Sequence, residues 1–116
     1  MANTFKIKSN AAMPASAGTF LTLYTVPSST QTIIIGLTLC NVHTASVTCS
    51  VKIDSNTSDV ETNEAVKVIN DVTIPSNSSL EVLSGGKYVL QTTDILLIDC
   101  SVTAKIDATL SILEIT

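Results

Sequence analysis

Residues 31–54, with the sequence QTIIIGLTLCNVHTASVTCSVKID, decide the fold class of this chain. Between positions 47 and 53 every second residue is Val, Cys or Ile, and the residues between them are polar. That period of two is typical of a β-strand with one buried face. Residues 33–35 are three consecutive isoleucines, which predict a strand buried between two layers. The stretch therefore predicts two strands and no helix.

The connection between these two strands is short and polar. Residues 43–46 are typical of a hairpin turn, and Gly36 indicates a bulge or a close backbone approach in the first strand. Cys40 and Cys49 flank the predicted turn. If the apolar faces of the two strands coincide, odd-numbered residues oppose odd-numbered residues, and Cys40 points away from Cys49.

Three cysteines, the third being Cys100, are an odd number and cannot form a complete disulfide framework. We predict that all three are small buried hydrophobic side chains.

The same strand-like patterning continues outward in both directions. Further predicted strands cover residues 20–26, 65–74 (one strand, or two broken near Asn70–Asp71), 80–83, 87–91, 95–102 and 105–115. Seven to nine short strands without a helix predict an all-β chain, an antiparallel β-sandwich of the immunoglobulin-like or jelly-roll-like kind. We assign residues 20–116 to this domain. Residues 1–19 are predicted to form an extended N-terminal arm with a short strand at 4–8.

Composition excludes several classes of protein. The chain has 116 residues, 14% charged and 45% hydrophobic, whereas disordered chains combine high charge with low hydrophobicity. It has no Arg, six Lys and a net charge of −4, which argues against a nucleic-acid partner. No apolar run approaches the ~18 residues that cross a bilayer, so we predict no membrane partner. The N-terminus lacks a continuous apolar signal segment, and we expect synthesis to leave the protein in the cytoplasm.

No pattern of catalytic or ligand-binding residues stands out. His43 is the only histidine and lies in the predicted turn without a Ser/Asp pattern around it. The acidic loop that starts at Asp54 has oxygen-bearing residues at alternate positions, but Asp59 and Ala65 stand where a calcium loop needs Gly and Glu. A solvated loop is therefore favoured over an ion site there. We predict that the chain is not an enzyme and has no catalytic, cofactor-binding or metal-binding residues.

The surface chemistry favours assembly. Ser and Thr occupy 31 of the 116 positions, and a surface rich in hydroxyls and poor in charge can be buried against another protein at low desolvation cost. The arm could pair with the sheet edge of a neighbour. The predicted contact residues are Phe5, Ile7 and Phe20, with Tyr24 and Tyr88 behind them, although Phe20 and Tyr24 suit a core equally well. Aromatic residues are only 3% of the chain, which argues against the alternative of a glycan- or receptor-binding module.

Short motifs along nearly the whole chain resemble one family, the small virion structural proteins of tailed bacteriophages, notably marine and cyanobacterial ones. The chain opens with Met1-Ala2-Asn3-Thr4-Phe5-Lys6 and closes with Ser111-Ile112-Leu113-Glu114-Ile115. The other matching motifs are Tyr24-Thr25-Val26-Pro27, Val72-Thr73-Ile74-Pro75 and the step from Leu90 to Asp94. Thr93 stands where the family usually has Gly, and the segment from Ser9 to Thr19 departs from the family pattern.

This resemblance implies a non-enzymatic virion component, synthesised and assembled in the cytoplasm of a bacterial host. A capsid cement or decoration protein is the role expected first, and a neck, tail or fibre-attachment protein is the alternative within the same class. The implied partners are further copies of this chain, as a homo-oligomer with a trimer among the options. The major capsid protein or neck and tail proteins would bind in addition.

Overall fold

A computed structural model describes residues 2–55, 63–83 and 87–116 of the chain. Their regular structure consists of nine antiparallel β-strands, which confirms the predicted all-β class. The strands are β1 (Asn3–Met13), β2 (Leu21–Thr25), β3 (Gln31–Asn41), β4 (Val47–Asp54), β5 (Val66–Ile74), β6 (Ser79–Glu81), β7 (Tyr88–Leu90), β8 (Ile95–Cys100) and β9 (Ile106–Ile115). Residues 56–62 of the acidic loop and residues 84–86, between the predicted strands at 80–83 and 87–91, lie outside the described residues.

The strands form two sheets that pack as a β-sandwich. One sheet has the order β1-β9-β3-β6 with β7 also on β3, and the other has the order β2-β8-β4-β5. β6 and β7 pair with two different parts of β3, so they occupy the place of one interrupted strand. With that pair counted as one, the strands change sheets in the sequence of an eight-stranded jelly roll, one of the two predicted variants.

The core fills the space between the sheets with aliphatic side chains from both. The predicted alternation in β4 is confirmed for Val47, Cys49 and Val51, which are fully buried, whereas Ile53 is half-buried and Ser50, predicted to face outward, is also buried. β9 supplies a matching set from the middle of the other sheet, namely Ile106, Ala108, Leu110 and Ile112. Side chains between these positions point out of the sandwich, as a strand of period two requires.

The predicted hairpin between β3 and β4 is wrong. β3 belongs to the five-stranded sheet and β4 to the four-stranded sheet, so residues 42–46 cross from one layer to the other. Alternation identifies the buried face of a strand but carries no information on which strand lies beside it. The separate conclusion that Cys40 and Cys49 are not bridged agrees with the structure, in which both are free.

The isoleucine run of β3 differs from the expectation of burial between two layers. A register shift between Ile34 and Gly36, at the predicted bulge, turns Ile34 into the core and Ile35 outward. Ile33 also lies outside, half-buried, and Ile35 is 41% exposed. Within the part of the chain that the structure describes, no second layer covers these two side chains.

The N-terminal segment is a long edge strand of the five-stranded sheet. The predicted strand at 4–8 extends to Asn3–Met13 and pairs with β9 from the Asn3–Ile115 pair to the Met13–Ile106 pair. Met13 at its end is completely buried, whereas the side chains from residue 3 to residue 9 are exposed. The first thirteen residues are therefore part of the sandwich rather than an arm that projects from it.

Five described residues other than glycine have a positive φ, and two of them, Thr93 and Asp71, lie at positions that the sequence analysis singled out. Thr93 has a φ of 74° between β7 and β8, at the position where the resembling family has Gly. Asp71 has a φ of 49° and lies at the predicted irregularity near Asn70–Asp71, but β5 continues through it as one strand.

Candidate functional site

The outer face of the five-stranded sheet carries apolar side chains in register across four strands. Phe5 of β1 lies opposite Leu113 of β9, Leu113 opposite Ile33 of β3, and Ile33 opposite Val89 of β7. One residue pair further along, Ile7 lies opposite Ser111, beside the bulge at Ile35. We call this set the outer apolar band, and it consists of Phe5, Ile7, Ile33, Ile35, Val89 and Leu113.

Much of the outer apolar band is accessible to water. Phe5 is 75% exposed, Ile7 68% and Val89 63%, and together with Ile35 they are four of the seven large hydrophobic side chains that are exposed in the described chain. Phe5, Ile7 and Ile35 line a shallow depression of ≈ 470 Å³. None of the six residues of the band is charged. Contiguous exposed apolar surface of this kind is typical of an interaction site.

β1 places the band beside an open sheet edge. Among the described residues its only paired neighbour is β9, so the opposite edge of this eleven-residue strand has unpaired backbone donors and acceptors. Lys6 and Lys8 alternate with Phe5 and Ile7 and point to the other face of the strand. Charges on an edge strand hinder uncontrolled pairing, whereas the outward apolar residues favour contact over the face.

The five predicted contact residues occupy different environments. Phe5 and Ile7 lie in the outer apolar band. Tyr88, 39% exposed, is paired with the buried Ile34 and so lies on the opposite face of the sheet from the band. Phe20 is half-buried, and the Lys52 ammonium stands 4.4 Å from its ring centroid.

Tyr24 was predicted to be either a contact residue or a core residue, and in the structure it is a core residue. It is 5% exposed, and its hydroxyl lies 2.8 Å from Thr32 Oγ1 and donates to Glu114 Oε2 over 2.6 Å. Glu114 is itself buried and forms an ion pair with Lys6, whose Nζ is 2.7 Å from Oε1. These contacts join β2 to β3, β9 and β1 at one end of the sandwich.

This buried network shifts the protonation of two of its members. The ion pair with Lys6 and the hydrogen bond from Tyr24 hold the pKa of Glu114 below its usual value. Burial, with the hydrogen bond to the Glu114 carboxylate, raises the pKa of Tyr24 to about 12. Each group is therefore held in its ordinary protonation state, ionised for Glu114 and neutral for Tyr24. That arrangement stabilises structure and leaves no proton poised for exchange at neutral pH.

Four residues of the outer apolar band were not among the contact residues predicted from the sequence: Ile33, Ile35, Val89 and Leu113. The run of isoleucines at 33–35 was the available signal, because it is apolar on both faces of a strand. Its prediction of burial on both faces is wrong for the described chain, in which Ile33 is half-buried and Ile35 is 41% exposed. The pattern of a single strand does not show which of its faces another layer covers.

In the ranges 2–55, 63–83 and 87–116, no group of three or more His, Cys, Asp or Glu side chains is placed to hold a metal ion. His43 lies in the connection between the sheets, where its backbone N–H donates to Asn41 Oδ1 over 2.8 Å. The described residues also contain no helix long and apolar enough to cross a membrane.

Comparison with known proteins gives a likeness in fold. No family model matches the chain, and no curated protein matches it. Among solved structures, it is similar to a chain from Bacillus endospore appendages, which are described as a novel family of disulfide-linked pili. The TM-score is 0.52 at 13% sequence identity, over 99% of this chain and 87% of the other. The likeness extends through the whole sandwich and identifies this chain as sharing that architecture.

Proposed function

We propose that this chain is a non-enzymatic structural protein that assembles with copies of itself through the outer apolar band. The observation that carries the proposal is the uncovered, uncharged row from Phe5 through Leu113 and Ile33 to Val89. The three-isoleucine run is patterned for burial on both faces, and a second molecule supplies the missing layer.

A second copy is the occupant that fits this face best. The protein has a net charge of −4, so two copies repel each other at most orientations. Contact through the outer apolar band avoids that repulsion because none of its six residues is charged. A sheet face is also complementary to itself under two-fold rotation, since flat apolar rows of similar spacing can pack on one another. The structural neighbour of this architecture comes from endospore appendages that are described as disulfide-linked pili.

For the biological setting we propose the virion of a tailed bacteriophage, with a capsid cement or decoration role ahead of a neck, tail or fibre-attachment role. The support is the resemblance of the opening, closing and three internal motifs to virion structural proteins. In this setting the protein is made and assembled in the host cytoplasm. Major capsid, neck or tail proteins then offer the larger surface on which its oligomers dock.

A subunit of an extracellular fibre is the second candidate. It is favoured by the likeness to the endospore appendage chain, which covers 99% of this protein. The two settings share self-assembly and differ in what the assembled copies attach to.

Light scattering coupled to gel filtration tests the assembly. We expect an oligomer for the natural chain and a shift to monomer for Phe5→Ser combined with Val89→Ser, with little change in melting temperature because both side chains are exposed. Val42→Ser is the matched control, since Val42 is 51% exposed but lies outside the band. A natural chain that stays monomeric at high concentration would overturn self-assembly, as would a double variant that remains oligomeric.

Electron microscopy separates the two settings. Gold-labelled antibodies against the purified protein are applied to tailed phage particles and to cell-surface fibres from the same source. Label on capsids, necks or tails supports the virion role, and label along fibres supports the second candidate. Label on neither structure would overturn both settings while leaving the assembly result standing.

A further inference from the structure

Two buried cysteines face each other across the four-stranded sheet. Cys49 of β4 is paired with Cys100 of β8 in register, and they are 0% and 3% exposed. Their sulfur atoms are 2.8 Å apart. Both side chains point into the core. The same is true of Val51 and Ile98, which form the next pair on this face of the β4–β8 ladder.

The backbone of this pair suits a covalent bond. Ser101 N–H donates to Thr48 O over 2.9 Å, which makes the Thr48–Ser101 pair a hydrogen-bonded one. The adjacent pair in an antiparallel ladder is then the closer, non-hydrogen-bonded type, with Cα atoms about 4.5 Å apart. That separation lies within the range of about 4.4–6.8 Å that disulfides span. Bringing the sulfur atoms to the bonded distance of about 2.04 Å needs only a small side-chain rotation.

We propose that Cys49 and Cys100 form an intramolecular disulfide that ties β4 to β8 when the chain folds in the presence of a low-molecular-weight disulfide such as oxidised glutathione. This inference stands apart from the proposed function, because the two sulfur atoms lie in the core of the four-stranded sheet and the outer apolar band lies on the other sheet.

The chemistry is a two-step thiol–disulfide exchange. The Cys100 thiolate attacks the small disulfide, forms a mixed disulfide and releases one small thiolate. The Cys49 thiolate then attacks the Cys100 sulfur and releases the second. The two cysteines lose two electrons and two protons, and one molecule of the small disulfide becomes two molecules of thiol. The order of the two attacks is interchangeable, because both thiols are accessible while the chain is still folding.

The folded state protects the reduced pair. The hydrogen bond with Cys49, together with burial, raises the pKa of the Cys100 thiol, and the nearby Asp99 carboxylate acts in the same direction. Since the thiolate is the reacting form, exchange in the native protein is slow and exchange during folding is fast. The redox state at the time of folding is then preserved in the folded sandwich.

Cys40 cannot substitute for either partner. It lies in β3 of the five-stranded sheet, paired with Asp107 and Ser79, and it alternates with the core residue Leu39. Its sulfur therefore points away from the core that contains Cys49 and Cys100. This makes Cys40→Ser a suitable background for the test.

The test is to unfold the reduced Cys40→Ser variant and refold it with reduced and oxidised glutathione at equilibrium. Cleavage after lysine places Cys49 in the fragment 9–52 and Cys100 in the fragment 88–105. We expect one disulfide-linked pair of these fragments and the loss of both thiols by titration after unfolding. Oxidant added to the already folded, reduced protein is expected to give the same product far more slowly.

Stability provides a second readout. The bond closes a loop of 51 residues, and a loop of that length is expected to raise the melting temperature by roughly 5–15 °C relative to the reduced protein. Cys40→Ser/Cys49→Ala and Cys40→Ser/Cys100→Ala are matched controls whose melting temperatures do not respond to oxidant. Two free thiols after refolding in oxidised glutathione would overturn the proposal. In the natural chain, a bridge that involves Cys40 or joins two molecules would also overturn it.

Discussion

Thr93 shows strain at the level of a single residue. Its φ of 74° places a β-branched side chain in the left-handed region, where residues other than Gly, Asn and Asp are rare. The turn tolerates this because its backbone is held on both sides. Thr93 N–H donates to Val26 O over 3.2 Å, and the neighbouring Asp94 accepts at Oδ2 from Gln91 N–H over 3.0 Å.

Replacing Thr93 with Gly is therefore expected to stabilise the protein. Relief of the unfavourable φ outweighs the added freedom of the unfolded chain by about 0.5–1 kcal/mol. Urea unfolding of Thr93→Gly measures the gain. Thr73→Gly is the control, because Thr73 is an exposed residue within β5 and glycine there is expected to destabilise the strand. A Thr93→Gly variant that is less stable than the natural chain would contradict the strained turn.

Glu114 makes the stability of this protein dependent on acid pH. Its pKa is lowered in the folded state, so the folded protein binds fewer protons than the unfolded chain at the pH where carboxylates titrate. The stabilisation is fully present above the ordinary pKa of 4.5 and is lost as the pH falls below it.

Glu114→Gln is expected to lower the free energy of unfolding by about 1–2 kcal/mol at pH 7, because the Lys6 ammonium and the Tyr24 hydroxyl lose a charged acceptor. The difference from the natural chain should shrink as the pH falls below 4.5. Urea unfolding at pH 7 and pH 3 measures both effects. The exposed Glu64, changed to Gln, is the control, and a pH-independent difference for Glu114→Gln would contradict the ion-pair account.

At the level of the element, β9 is the strand on which the five-stranded sheet depends. It pairs with β1 on one side and with β3 on the other, over almost its whole length. Leu113, Glu114 and Ile115 at its end pair in both ladders, and Glu114 belongs to the buried network. The apolar C-terminal sequence is thus explained by a central position in the sheet.

Removing Leu113 to Thr116 is expected to destabilise the protein by about 3–5 kcal/mol, since two ladders lose pairs and half-buried apolar surface is exposed. Thermal unfolding followed by circular dichroism measures the loss. Removal of Thr116 alone is the control, because it breaks only the hydrogen bonds with Ala2 at the end of the β1–β9 ladder and is expected to lower the melting temperature far less. A truncated chain that melts like the natural one would contradict the central role of this segment.

At the level of the whole molecule, the two sheets contribute different features, a buried cysteine pair in one and an exposed apolar face in the other. The four-stranded sheet buries the Cys49–Cys100 pair in the core that it shares with its partner sheet. The five-stranded sheet exposes the outer apolar band on its far side. The buried cysteine pair and the outer apolar band therefore lie on different parts of the molecule, and oxidation of the pair and assembly should respond to different conditions.

Self-association is expected to persist in 0.5 M salt and to strengthen on warming from 5 to about 25 °C, as contacts between apolar surfaces do. It should also be the same for the reduced and the oxidised protein, because the cysteine pair lies away from the band. Sedimentation velocity over these conditions measures it. Dissociation in salt would indicate that charged groups rather than the band hold the copies together.

The class of fold and the position of most strands could be predicted from the amino-acid sequence. β-branched alternation in segments such as 46–54 and 105–115 is a local signal, and the faces it predicts as buried are buried. Even the irregularities at Gly36 and at Asn70–Asp71 could be located, because glycine and turn-forming residues act on their own backbone.

Which strands are neighbours became known from the folded chain alone. The pairing of β4 with β8, which brings Cys49 to Cys100, joins segments about fifty residues apart, and the crossing from β3 to β4 replaces an expected hairpin. Period-two patterning is identical for every possible partner strand, so it is silent on long-range pairing. The outer apolar band exists for the same reason: its rows arise only when β1, β9, β3 and β7 lie side by side.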